Sequence, residues 1–160
     1  MTEEQTKPIT HKELVRRAVA WLRYAQKCGV VLAELRTQNT ETPDALGFHG
    51  AGGSILIECK VSRADFLADQ NKIFRRCAEI GMGDQRYFMM PKGLIVPAET
   101  PPGWGLLEVT PCQIRIAMPA GHKHANKRAE VAMLTSVIRR LELSTAVFVQ
   151  PEPLLEEATP

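Results

Sequence analysis

A strand with charges in its interior constrains this chain more than any other feature. Ser54-Ile55-Leu56-Ile57 runs into Glu58-Cys59-Lys60-Val61, an apolar run of strand length broken by an acid and a lysine. Side chains alternate faces along a strand, so Glu58 and Lys60 share one face while Ile57, Cys59 and Val61 take the other. Charges on such a strand are costly to bury unless they are paired, hydrogen-bonded or bound to a metal. Upstream, Thr42-Pro43-Asp44 supplies a second carboxylate. A fold that bears this cost and brings Asp44 near Glu58 and Lys60 points to a hydrolytic metal site. The plain alternative is a buried ion pair between Lys60 and one of the two acids.

The surrounding elements follow from periodicity and caps. Thr10-His11-Lys12-Glu13 has capping-box spacing, and Leu14, Ala18, Trp21, Leu22 and Ala25 recur at helical intervals towards a stop at Gly29. Val30 to Leu35 reads as a strand carrying Glu34, and Pro43 favours an extended entry into Asp44 to Phe48. His49-Gly50-Ala51-Gly52-Gly53 lies between two strand-like runs, which predicts a hairpin connection; it lacks the phosphate-cradling P-loop pattern. Ser62-Arg63-Ala64-Asp65 opens a second helix, expected through Cys77. Strands are expected at Arg86 to Met90, Gly105 to Val109 and Gln113 to Ala117, with the proline-rich stretch 91–103 as loop. A last helix spans 125–143, with Val131, Leu134, Ile138 and Leu141 on one face. Glu34, Asp44 and Glu58 thus fall on three successive strands, and consecutive strands are usually neighbours.

Length and charge bound the rest. At 160 residues with 44% apolar and 24% charged content, the chain is expected to form one domain, residues 10–143. It follows a flexible N-terminus, 1–9, and precedes a C-terminal segment, 144–160, that ends in an acidic, proline-rich tail. No signal-peptide pattern or membrane-length apolar run is present, so the expectation is a cytoplasmic protein without a membrane partner. The formal charge of +2, less −1 for residues 1–8 and −3 for residues 150–160, leaves +6 on the body, a balance that suits a polyanion. Four cysteines without a CxxC pair read as buried free thiols.

The order of elements and the charged residues resemble the PD-(D/E)xK superfamily, the fold of restriction endonucleases and many repair nucleases. The match is Pro43-Asp44, thirteen intervening residues, then Glu58-Cys59-Lys60, with Glu34 where many members carry an additional acid. Ser62 to Asp69, Lys72, Arg86-Tyr87-Phe88, Pro91 and Gly105-Leu106-Leu107 are further similar to the MmcB-like branch of DNA repair proteins and its phage-encoded relatives, over roughly residues 10–143. A longer glycine-rich hairpin at 49–53 departs from that pattern.

The resemblance implies an α/β fold with a restriction endonuclease-like mixed sheet of five or six strands flanked by helices. It also implies a DNA nuclease that uses Mg²⁺ or Mn²⁺ in repair, recombination or phage DNA metabolism. Asp44, Glu58 and Lys60 would be the catalytic residues. Asp44 and Glu58 would hold the metal with the Cys59 backbone carbonyl, and Glu34 would complete the site or support a second ion. Lys60 would orient or deprotonate the attacking water, or stabilise the phosphate.

Candidates for phosphate contact are Arg63, Lys72, Arg75, Arg76, Arg86, Lys123, Lys127 and Arg128. For the second helix two readings stand side by side: an exposed Asp69–Lys72 pair, or a border of the active site. DNA is the expected partner, with RNA possible and a homodimer open. The rival is a non-cleaving DNA-binding accessory protein on the same fold.

Overall fold

The polar caps set where the helices begin. Thr10 accepts a hydrogen bond from the Glu13 N–H (3.2 Å) and starts α1, His11–Ala20. Glu13 does not return the contact to complete a capping box; its carboxylate grips Arg16 instead. The helix widens into a π-helical turn, Trp21–Ala25, closed by Gln26 N–H to Trp21 C=O (3.0 Å). Lys27 then turns into the left-handed region (φ 58°) two residues before the glycine expected to do so. Ser62 caps α2, Arg63–Asp69, and Asn126 caps α3, Lys127–Arg140.

The structure, a computed structural model, describes residues 8–36, 41–72 and 77–141. The termini and the expected continuation of the second helix through Arg75 and Arg76 lie outside the described residues.

Six strands form one mixed sheet: β1 (Val30–Ala33), β2 (Ala45–Phe48), β3 (Ser54–Cys59), β4 (Gln85–Pro91), β5 (Trp104–Val109) and β6 (Ile114–Met118), lying in sequence order. β1, β2 and β3 pair antiparallel, β3, β4 and β5 pair parallel, and β6 returns antiparallel. The antiparallel β2–β3 step needs only the His49–Gly53 hairpin, where Gly53 C=O accepts from His49 N–H (2.8 Å). The parallel step from β3 to β4 needs a crossover, which carries α2. This is the α/β mixed-sheet class expected from the sequence.

Alternation sorts the strand residues onto two cores. Ala45, Ile55, Ile57, Cys59, Tyr87, Met89 and Leu107 pack with Leu14, Ala18, Trp21 and Leu22 of the α1 region. Leu46, Leu56, Phe88, Met90 and Leu106 face Phe66 of α2 and Met133 of α3. One correction falls on α3. Val131, Ile138 and Leu141 do not form its buried face; Val131 is 60% exposed, and Glu130 and Met133 point inward instead. The inward turn is set by the polar anchor at Glu130, which outweighs the apolar stripe.

All four cysteines are free thiols, Cys28 and Cys59 buried, Cys77 partly so and Cys112 exposed. Among the described residues, no helix is long and apolar enough to cross a membrane.

Candidate active site

Strand register brings the acids of three strands to one end of the sheet. Ala33 pairs with Ala45, and Ala45 pairs with Ile57. The residues just beyond, Glu34, Asp44 and Glu58, therefore gather at the carboxyl end of β3. Glu34 was expected on the strand; it lies one step past β1 in the left-handed region (φ 49°), with its N–H on the Asp44 C=O (3.1 Å). Few residues other than glycine adopt that conformation, at a cost of roughly 1–2 kcal/mol. Asp44 immediately precedes β2. Its Oδ2 accepts a hydrogen bond from the Cys59 N–H (2.7 Å), which ties the carboxylate to the backbone beside Glu58.

Lys60 continues the ladder with its N–H on the Met89 C=O (2.9 Å), so its side chain follows Glu58 onto the α2 face. At 5% exposure its Nζ sits 3.4 Å from Glu58 Oε2 and 3.1 Å from Asp69 Oδ1. Burial pushes the ammonium down from its ordinary pKa, but Glu58 and then Asp69 together outweigh it and hold it above. Lys72 reaches over the same acids, 2.7 Å from Asp69 Oδ1 and 3.9 Å from Glu58 Oε2, with about half its side chain in solvent. Of the two readings for this helix, the border of the candidate site is what is observed. The Asp69–Lys72 pair exists, but Asp69 itself is 2% exposed.

Sequence reasoning missed two members of this cluster. Asp69 was read as an exposed partner of Lys72. The signal that could have found it is its spacing of three from Phe66, which places both on the sheet-facing side of α2. His11, on the first turn of α1, has Nε2 3.3 Å from Asp44 Oδ1 and Nδ1 4.0 Å from Glu34 Oε1, bridging two of the acids. Nothing in the local sequence marked it. The buried Cys59 thiol is held far above its ordinary pKa by burial and then by the charges of Asp44 and Glu58, so it stays a thiol.

The expected phosphate contacts divide. Lys72 is at the site. Arg63, at the start of α2, is committed to an exposed pair with Glu99. Arg86 is a correction: it pairs in register with Leu56 and Trp104, faces the core at 1% exposure, and donates from Nε to the Gly83 C=O (3.1 Å). It has no surface to offer a phosphate.

Lys127 is enclosed by oxygens at 2.5 Å (Asp84 Oδ2), 3.0 Å (Glu130 Oε2), 3.1 Å (Gly52 C=O) and 3.3 Å (Ser54 Oγ). Lys123 donates to the Pro102 C=O (3.2 Å), its ammonium pushed below the ordinary lysine pKa by burial and then by Arg86. Arg128 is exposed on the first turn of α3. Ser54, Asp84 and Lys127 mark the opposite end of β3, about 13 Å of strand from Glu58. Arg75 and Arg76 lie outside the described residues.

Asp44, Glu58 and the Cys59 carbonyl are the oxygens a cation would use. Among the described residues no three His, Cys, Asp or Glu converge as a metal-binding group. Mg²⁺ takes one or two carboxylates and fills its shell with water, so this donor set fits a hard, water-rich ion and does not fit zinc. The two lysine contacts to Glu58 both fall on Oε2.

No family model matches the chain, and no curated protein matches it. Among solved structures it is similar to the SPO1766 protein of unknown function from Silicibacter pomeroyi, at 27% identity and a TM-score of 0.63. The match covers 86% of this chain and 91% of that one.

Proposed function

We propose that this chain is a metal-dependent nuclease of the PD-(D/E)xK type that hydrolyses DNA phosphodiesters, in repair, recombination or phage DNA metabolism. The observation that carries this reading is the bond from the Cys59 N–H to Asp44 Oδ2, which ties the first acid of the sequence motif to the backbone between Glu58 and Lys60. The chemistry of the cluster supports it. Glu34, Asp44, Glu58 and Asp69 gather here with Lys60 and Lys72, and carboxylate oxygens are the donors that a hard divalent cation takes.

Asp44, Glu58 and the Cys59 carbonyl would hold Mg²⁺ or Mn²⁺, with Glu34 beside them. Bound there, the ion neutralises phosphate charge and lowers the pKa of attacking water. Lys60 presents its ammonium from the Glu58 side to stabilise charge on the phosphorus oxygens. His11 keeps Asp44 Oδ1 oriented, and Lys72, half in solvent, meets the phosphate backbone.

A second reading has its own observation. Lys60, at 5% exposure, is ion-paired with both Glu58 and Asp69, an arrangement a non-cleaving DNA-binding protein on this fold could retain for stability. Cleavage of supercoiled plasmid and of labelled single-stranded, branched and RNA oligonucleotides, with Mg²⁺, Mn²⁺ or EDTA and beside Lys60→Ala, separates the two. Metal-dependent cutting by wild type alone supports the nuclease, and the substrate panel decides between DNA and RNA. Salt-sensitive DNA binding without cutting by either protein overturns it in favour of the accessory role.

A further inference from the structure

Asp69 is a carboxylate at 2% exposure on a helix of seven residues, Arg63–Asp69. Acidic residues almost never reach that depth unpaired. What takes it there is Phe66, three residues earlier on the same face, wedged edge-on against Phe88 of the sheet with ring centroids 5.1 Å apart. With Phe66 fixed, Asp69 is carried under the end of β3. Lys72 pairs with it at 2.7 Å and i,i+3 spacing, and Lys60 makes a second contact at 3.1 Å.

For Lys60 the same contact is decisive. A lysine stem has four flexible carbons and its ammonium is a compact charge that settles on the nearest anion. Without Asp69, Lys60 would be drawn closer onto Glu58, the carboxylate required for a cation. Asp69 stands at 3.1 Å on one side and draws Nζ off to 3.4 Å from Glu58 Oε2.

We propose that Asp69 is a positioning residue that holds the Lys60 ammonium beside Glu58 and leaves the Glu58 carboxylate available to a divalent cation. This rests on the nuclease reading above and adds to it a residue from outside the sequence motif.

The test uses the full chain as Asp69→Asn, Lys60→Ala and the double variant, read by single-turnover cutting with Mn²⁺ and by titration with Mn²⁺ alone in the absence of DNA. Partners that orient an active-site group are worth about 10–100-fold. Asp69→Asn is expected to slow cutting by about that factor with KM for DNA unchanged, and to weaken Mn²⁺ binding as Lys60 collapses onto Glu58. Removing Lys60 as well should restore Mn²⁺ affinity, so that Asp69→Asn weakens Mn²⁺ binding by Lys60→Ala no further. Asp69→Glu should recover part of the rate.

Wild-type cutting and Mn²⁺ affinity in Asp69→Asn overturn the proposal, as does an Asp69→Asn loss of Mn²⁺ affinity that persists undiminished on Lys60→Ala. A wild type inert with every metal overturns the nuclease reading itself, a different outcome from a wild type that cuts beside an unaffected variant. Should Asp69→Asn fail to fold, Lys60→Ala/Asp69→Asn, which removes both charges, carries the comparison with Lys60→Ala.

Discussion

Replacing Lys127 with methionine tests whether this lysine is a structural cation or a contact for a polyanion. Its Nζ lies 2.5 Å from Asp84 Oδ2 and 3.0 Å from Glu130 Oε2, acids that are themselves 7% and 3% exposed. Removing one partner of a buried ion pair costs about 3–5 kcal/mol. Two features reduce that here. The Lys127 side chain is 49% exposed, so water screens it, and Asp84 keeps the Ser54 and Ala125 N–H donors. The expected loss is about 1–2 kcal/mol at neutral pH.

The pH dependence follows from Asp84. Burial pushes its carboxyl up, but the Lys127 hydrogen bond and the backbone donors outweigh this and hold it below the ordinary value. A folded pKa below the unfolded one contributes stability that is fully present above the unfolded value, near pH 4, and is lost as pH falls through the folded value. The methionine variant should therefore lag wild type at pH 7.5 and close part of the gap at pH 3.5. In urea unfolding, with slopes of about 1–3 kcal/mol/M, the midpoint should drop by roughly 0.5–1 M at the higher pH. An equal drop at both pH values would assign the loss to stem packing. An unchanged midpoint with weakened DNA binding would return Lys127 to the phosphate contacts and refute the structural role.

Asp44→Ala and Asp44→Asn should both abolish metal-dependent cutting, yet differ in stability. Alanine leaves the Cys59 N–H without its acceptor, at about 1–3 kcal/mol, while asparagine keeps an oxygen there; metal-dependent cutting by Asp44→Asn would sink the assignment. Gly105→Ala would set a Cβ 2.3 Å from Tyr87 Cε1 and 2.7 Å from the Ala120 nitrogen, an overpacking cost of about 1–3 kcal/mol that a thermal melt should register as a lower Tm. Arg63→Ala, which breaks only an exposed pair with Glu99, should change stability by less than about 1 kcal/mol in the same melts.

The order of strands and helices was legible because each element carries its own period and cap: Thr10 and Ser62 start helices, and the alternation through Ser54–Cys59 fixes a buried strand. The gathering of Glu34, Asp44 and Glu58 was legible for the same reason, since antiparallel neighbours bring strand ends together. Depth was not legible. Asp69 and Lys72 read as a surface pair because their own i,i+3 spacing was weighed without the equal spacing from Phe66, which turns Asp69 to the sheet. Arg86 read as a phosphate contact because a charge at a strand entry looks exposed until its register opposite Leu56 and Trp104 is known.

The mutational expectation for Glu58 follows from its neighbours. If Glu58 had only acids for neighbours, its removal would relieve repulsion. Its observed neighbours include Lys60 and Lys72, so Glu58→Ala strips a buried cation of one of its two acids and should destabilise the fold as well as abolish cutting.

The two ends of β3 are built from different electrostatics. At the Ser54 end, Asp84 and Glu130 share Lys127, and the acids also take backbone donors: Met82 N–H to Glu41, Gly83 N–H to Glu130. This network holds α3 to the sheet. At the Glu58 end, Glu34, Asp44, Glu58 and Asp69 gather around Lys60 and Lys72, and Glu34 is held there at a backbone cost, in a left-handed conformation. On the nuclease reading proposed above, a divalent cation would take carboxylates of this end, and Asp69, by holding Lys60 beside Glu58, would keep them within its reach.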